Sequence, residues 1–254
     1  MSSKPAHLEP SKLGTKEYWD NLYTTEISNH AHDPSDIGTV WFDDSDAQAK
    51  MVEYLENLAE EEAIDKTSTS FLDLGCGNGS MLLALCEEQW SGRMMGVDYS
   101  AQSVALAQQV AASTSWGQNV QFREWDVIAG PMEHVLEPTL PDEGWDVVLD
   151  KGTFDAISLS DEKDAQGRRL CEGYRSRVWQ LARRGGIFLI TSCNWTEEEL
   201  RGWFEDKDEP GNPGFSLVGR VNYRTFSFGG AKGQTITTLC FRKATKNSSE
   251  RPEV

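Results

Sequence analysis

The stretch FLDLGCGNGS, Phe71 to Ser80, sets three glycines at alternate positions directly after a short apolar run. Such a run reads as a buried strand, and the glycines let the backbone beyond it come close to a ligand. A nucleoside triphosphate would require G-x-x-x-x-G-K-[ST], which occurs nowhere in the chain. A dinucleotide would require G-x-G-x-x-G, and Ser80 stands where the third glycine belongs. Asp73, two residues before Gly75, would also set a carboxylate against a pyrophosphate, and like charges in a partly buried site are costly. A cationic ligand removes both objections. S-adenosylmethionine carries a sulfonium and an α-amino group and no phosphate. Asp73 is therefore expected to attract its amino group, and Gly75, Cys76, Gly77 and Asn78 to form the loop against it.

Working outward, strand-like runs at Ser70–Leu74, Arg93–Val97, Val120–Glu124, Trp145–Asp150 and Ile187–Ser192 surround helical segments at Asn78–Trp90 and Ser100–Ala112. Leu170, Tyr174, Val178 and Leu181 predict a helix from about Ala165 to Arg184, stopped by Gly185 and Gly186. An earlier helix is expected from Ser45, where Gln48 completes a capping box and Met51, Leu55 and Leu58 share a face. Thr196 with Glu199 forms a second capping box, opening a helix with Leu200, Trp203 and Phe204. FSLVGRVNY and QTITTLCFRK read as strands joined by FSFGGAKG with no helix between them, which implies antiparallel pairing. The pattern predicts an α/β fold: a doubly wound, mostly parallel sheet with a reversed C-terminal strand. One domain is expected over residues 14–245, between disordered polar tails at 1–13 and 246–254.

The strand ends carry acids. Asp98 closes GVD, 21 residues after Gly77, where an acid accepts hydrogen bonds from ribose hydroxyls, with Tyr99 beside it. Asp126 follows the third strand, placed to accept from an adenine amino group beside Trp125 or Val127. Asp150 ends the fourth. One such acid alone is more often a helix cap; four in order, Asp73, Asp98, Asp126 and Asp150, point to a methyl donor.

The net charge of −17 repels phosphate backbones and anionic membranes and suits a basic partner. Neither direct nucleic-acid binding nor membrane association is expected. No stretch is long and apolar enough to span a bilayer, and MSSKPAHLEPSK holds no apolar signal segment. Five cysteines without a C-x-x-C pair read as buried small hydrophobes rather than disulfides or a metal site. A cytoplasmic monomer is the expectation.

The chain resembles the seven-β-strand, Rossmann-like class I S-adenosylmethionine-dependent methyltransferases. It resembles most closely the branch that methylates a lysine of translation elongation factor 1-alpha. LDLGCGNG and GVDYS carry the wider likeness. LGTKEYWDNLY at Leu13–Tyr23, WFDD from Trp41, LDKGTFDAISL at Leu149–Leu159, LITSCNWTEEEL at Leu189–Leu200 and FSFGG at Phe226–Gly230 carry the narrower one. The likeness spans about Leu13 to Arg242 and departs in the acidic loop DEPGNPG and both tails. It implies a seven-stranded sheet, S-adenosylmethionine as donor and the elongation factor as protein substrate.

Methyl transfer to lysine requires a free lone pair. Deprotonating an amine of pKa about 10.4 at pH 7 costs roughly 4.6 kcal/mol, which burial beside a sulfonium offsets in part. Asp150 is the leading candidate to orient the amine or accept its proton, with a helix-capping role as the competing reading. Asn194 and Trp195 are placed to shape a lysine channel, unless Trp195 is a hydrophobic staple before Thr196. Tyr18, Trp19 and Tyr23 share a helical face that either closes over the cofactor or packs in the core. Lys151 can pair with an acid. A small-molecule methyltransferase and a donor-binding protein without transfer activity stay open, because cofactor motifs do not name an acceptor.

Overall fold

A computed structural model describes residues 5–136, 144–205, 214–223, 226–228, 231–233 and 236–244. Helices α1 (Lys16–His32) and α2 (Ala47–Glu60) precede strand β1 (Phe71–Leu74). Then follow α3 (Ser80–Glu87), β2 (Met94–Asp98), α4 (Ala101–Ala112), β3 (Val120–Glu124), β4 (Trp145–Lys151) and α5 (Thr153–Ser158). After them come α6 (Cys171–Leu181), β5 (Ala182–Ser192), α7 (Glu197–Phe204), β6 (Phe215–Val221), β7 (Phe226–Phe228), β8 (Ala231–Gly233) and β9 (Thr237–Lys243). Seven strands form one sheet in the order β3-β2-β1-β4-β5-β9-β6. Strands β1 to β5 pair in parallel, and β9 runs antiparallel to both β5 and β6. Within FSFGGAKG, read as a plain connection, β7 and β8 pair antiparallel as a separate two-stranded sheet.

Side chains alternate across each central strand, so every strand serves two layers and reads as nearly continuous apolar sequence. Phe71, Met94, Val147, Leu149, Ile187 and Leu189 face one core with Met51 and Leu55 of α2, Leu82 of α3 and Leu106 of α4. Leu72, Met95, Val148, Phe188 and Ile190 face the other, with Phe154, Tyr174, Val178 and Phe204 from α5 to α7. Burying each such large side chain fully contributes about 1.5–3 kcal/mol. The chain winds to opposite sides from β1, giving the strand-order reversal at which open α/β sheets bind ligands.

Local signals failed where a tertiary partner competed. α2 begins at Ala47 behind Asp46, which takes a left-handed conformation (φ 53°) and supplies no side-chain cap. Ser45 turns to Asp44, while Gln48 Oε1 accepts from the Ser80 hydroxyl at 2.8 Å. The Thr196–Glu199 capping box does form. Gly185 and Gly186 do not stop α6, which ends at Leu181; they lie inside β5. There Trp145 pairs with Ala182 and Val147 next with Ile187, so β5 carries extra residues in a bulge. Gly185 has φ 70°, and a Cβ at Gly186 would stand 2.9 Å from the Trp145 carbonyl oxygen. Glycine is needed at both.

Residues 5–13, read as part of a tail, lie against the body. Ser11 N donates to Leu159 O at 3.0 Å, Arg169 donates to Leu8 O at 3.3 Å, and Leu8 packs on the α5–α7 core. The other expected tail, 246–254, lies outside the described residues. Among the described residues no helix is long and apolar enough to cross a membrane. Four of the cysteines are buried as read, whereas Cys193 is exposed.

Candidate functional site

A cleft of about 280 Å³ opens at the carboxyl ends of the parallel strands. Asp98, Tyr99, Trp125, Asp126 and Val127 line it beyond β2 and β3. Lys151, Gly152, Thr153 and Asp155 line it beyond β4, and Cys193 and Asn194 beyond β5. Gly75 lies between these ends, and Trp19, Tyr23, Trp41 and Phe42 contribute aromatic wall. The lining acids are Asp98, Asp126, Asp155 and Glu162, and the lining lysines are Lys16 and Lys151. Lys16 is already paired with Asp20 at 2.8 Å. The cleft is therefore net acidic and suits a cation better than a phosphate.

At the β1–β3 end the glycine turn sets the geometry. Gly75 has φ 64°, and a Cβ there would stand 2.1 Å from the Thr153 hydroxyl, which itself donates to Leu74 O at 2.6 Å. Only glycine fits, and it brings bare backbone to the cleft. Asp98 is buried; Oδ2 accepts from Gly77 N at 3.2 Å and Oδ1 from Ser100 N at 2.9 Å. Burial pushes its carboxyl up, and these amides hold it back. Asp126 Oδ1 accepts from Ile128 N (2.7 Å) and Ala129 N (3.1 Å), leaving Oδ2 for other donors.

Four further loop and strand residues stand behind the lining rather than in it. Cys76 N donates to Val97 O at 3.0 Å, tying the loop to β2. Gly77 O accepts from the Ser103 hydroxyl at 2.8 Å. Asn78 Nδ2 donates to Ile37 O at 2.9 Å and Oδ1 accepts from Ser80 N at 3.1 Å, so its amide fastens the segment before Trp41. Asp73 is 3% exposed. Burial pushes its carboxyl up to about 7; Lys151 pulls it down, while Asp150 and Asp98 add to the rise.

At the β4–β5 end the structure places Asp150 in the helix-capping role, the competing reading of this residue. Asp150 is not in the cleft. Asp73 pairs with Leu149 and Leu74 with Asp150, so one register step puts Asp150 on the opposite face of the sheet from Asp73. Its carboxylate is fully buried and accepts from Thr153 N (2.7 Å), Phe154 N (3.0 Å) and the Tyr174 hydroxyl (2.6 Å). Those bonds cap α5 and join it to α6. Burial nevertheless pushes the carboxyl up to about 7. Trp195 is also core: it stacks on Phe154 with centroids 6.1 Å apart and meets Trp203 edge-on at 5.7 Å. Asn194 is exposed and does line the cleft. Of the α1 aromatics, Trp19 and Tyr23 reach the cleft, stacked at 6.2 Å, while Tyr18 sits edge-on behind Trp19.

Among the lining residues, Asp155 and Phe42 carry no expectation from sequence, and Lys151 is expected there only to pair with an acid. Asp155 lies in DKGTFD, five positions beyond the acid that was chosen. Phe42 lies in WFDD and takes φ 64°, a left-handed backbone that is strained for an aromatic residue. Lys151 donates from Nζ to Trp41 O at 3.1 Å, locking that loop onto β4. Burial lowers its pKa, and Asp73 and Asp43 oppose the fall. Aromatics followed by paired acids in a loop were the available signal for Phe42.

A methyltransferase-domain family model matches residues 65–239. Protein-lysine N-methyltransferase EFM4 of Saccharomyces cerevisiae is 39% identical over 238 residues, covering 94% of this chain and 97% of that protein. EEF1A lysine methyltransferase 2 of Danio rerio is 34% identical over 243 residues, covering 95% and 92%. Among solved structures, magnesium protoporphyrin IX methyltransferase from Synechocystis with bound SAM superposes with a TM-score of 0.56 over 95% of this chain and 100% of that one. At 17% identity that likeness speaks for the fold alone. With 39% and 34% identity to the yeast and fish enzymes along nearly the whole of both chains, and the sheet order and strand-end cleft described above, the chain belongs to the methyltransferase-domain family of protein-lysine N-methyltransferases that contains EFM4 and EEF1A lysine methyltransferase 2.

Proposed function

We propose that this enzyme takes S-adenosylmethionine at the β1–β3 end of its cleft and methylates a lysine of translation elongation factor 1-alpha, acting as a cytoplasmic monomer. The net acidic cleft at the strand-order reversal carries the reading, because its chemistry fits a cationic donor and a cationic acceptor together. The name of the Danio rerio relative, EEF1A lysine methyltransferase 2, supplies the identity of the protein substrate.

Bound, the donor supplies a methyl group made electrophilic by its sulfonium. The chain's part is to hold and align. Asp98 accepts from the ribose hydroxyls, and Asp126 with the Val127 backbone brackets the adenine. Asp73 attracts the α-amino group across the Gly75 turn, and Trp19 and Tyr99 cover the bound donor. Asn194, beyond β5, borders the path of the lysine. Alignment of donor and amine in a cleft walled by Trp19, Trp41 and Phe42 supplies most of the rate.

Purified elongation factor, incubated with enzyme and donor and analysed by mass spectrometry, should gain methyl groups on one lysine. The gain should fall as salt rises, since an acidic enzyme and a basic surface lose their attraction as the Debye length shrinks from about 10 Å at 0.1 M to about 3 Å at 1 M. Absence of methylation on every lysine would remove the factor as substrate.

A further inference from the structure

Asp155 is the acid that the fold does bring to the β4–β5 end of the cleft. It is 5% exposed and lines the cleft beside Lys151, Cys193 and Asn194. Its Oδ1 accepts from the Ser192 hydroxyl at 2.5 Å and its Oδ2 from Cys193 N at 2.8 Å. Ser192 Oγ in turn accepts from Asn194 N (3.1 Å) and Trp195 N (3.0 Å). With two backbone amides on its oxygen, the serine has one proton to give, and Asp155 receives it. The carboxylate is thus aimed into the cleft by fixed donors.

The groups that hold the Asp155 charge most strongly are hydrogen-bond donors, namely Ser192, Cys193 and Asn194. Lys151 donates a hydrogen bond to Trp41 O and is drawn to Asp73 and Asp43. A carboxylate buried in the cleft wall is costly for the fold, and a ligand cation would offset that cost.

We propose that Asp155 receives the acceptor amine, accepting a hydrogen bond from the lysine ammonium and then taking its proton before transfer. This rests on the reading of the cleft as a lysine methyltransferase site. The ammonium loses one proton to the Asp155 carboxylate, leaving a neutral amine and a carboxylic acid. The amine lone pair forms the new bond to the methyl carbon as the carbon–sulfur bond breaks, and that electron pair stays on sulfur as a neutral thioether. The product is a methylammonium, and Asp155 returns its proton to water at the cleft mouth. Burial raises the Asp155 carboxyl, which makes it a stronger base than a surface acid. The titratable groups around it are Asp150 behind it on β4, Lys151 at the end of β4, Cys193 beyond β5, and Asp44, which acts on Cys193 from the segment after Phe42.

The test uses two adenosine-based donor mimics, one with an aminoethyl arm in place of the methyl group and one with a propyl arm. Wild type should bind the amine arm about tenfold or more tightly than the propyl arm, the size of one charge-assisted hydrogen bond. Asp155→Asn should lose that preference while binding the propyl mimic as wild type does, which also shows that it folds. Asp155→Glu, which keeps the charge, should retain part of it. On the elongation factor, Asp155→Asn should be slower by roughly a hundredfold, and its rate should climb with pH toward the lysine's own pKa of about 10.4. An amine preference in Asp155→Asn equal to wild type overturns the proposal, even with the elongation factor confirmed as substrate. Wild-type preference that depends on Asp155, with no methyl on the factor, supports Asp155 and removes the factor alone.

Discussion

At the β1–β3 end of the cleft, the turn-forming and acidic residues lie within two positions of their strand ends, and a short motif contains its own geometry. Gly75 must be glycine because of its backbone angle and the Thr153 hydroxyl, and Asp98 is oriented by the amides of Gly77 and Ser100. At the β4–β5 end, the cleft wall is divided among three distant segments. Lys151 holds the backbone at Trp41, and Ser192 and Cys193 aim Asp155. The lesson is about parity. An acid at a strand end serves the cleft only if the pleat turns it toward the right face, and Asp150 is one residue out of step with Asp73.

The largest effect should come from the acid that sequence assigned to chemistry. Asp150→Ala strips hydrogen bonds from the start of α5 and from the buried Tyr174 hydroxyl. It should cost about 2–4 kcal/mol, a fall in Tm of about 5–15 °C, with donor affinity kept by the folded fraction. Calorimetric melts and donor titration of the same sample decide this. Unchanged stability with lost turnover would return Asp150 to the chemistry. Asp98→Asn should do the reverse, weakening the donor by about 1.5–3 kcal/mol with a nearly wild-type melt.

A smaller effect should be visible in the pH dependence of stability. The Asp73 carboxyl is raised from an ordinary 3.8 to about 7. Between those values the folded chain keeps a proton that the unfolded chain has released, so stability falls as pH rises through the window. Asp73→Asn should flatten the decline of Tm between about pH 5 and 7, with Asp150, Asp98 and Asp155, whose carboxyls burial also raises, accounting for what slope remains. An equally steep decline in Asp73→Asn would mean that Asp73 is not the group being charged. The smallest change should follow Tyr174→Phe, which removes one hydrogen bond to Asp150 and should cost about 1 kcal/mol in a denaturant titration. An unchanged midpoint would show that this bond adds nothing to holding α6 on α5.

How much of this was legible in the sequence follows the same division. The order of strands and helices, the reversed C-terminal strand and the glycine turn were readable, since hydrophobic period and turn chemistry are local. Where a side chain had a distant partner, reading failed. Gln48 was assigned to a capping box and instead meets Ser80. Gly185 and Gly186 were assigned to a helix stop and instead relieve a bulge against Trp145. Asp155 was overlooked because its partners, Ser192 and Cys193, are 37 and 38 residues away.

The division of the cleft is tested most directly by a crystal structure of the enzyme with S-adenosylhomocysteine. The adenosine should lie at the β1–β3 end, with its ribose hydroxyls on Asp98 and its adenine beside Asp126 and Val127. The sulfur should face the end formed by Lys151, Asp155 and Asn194. Adenine seated at the β4–β5 end, or a ribose that leaves Asp98 untouched, would contradict the assignment.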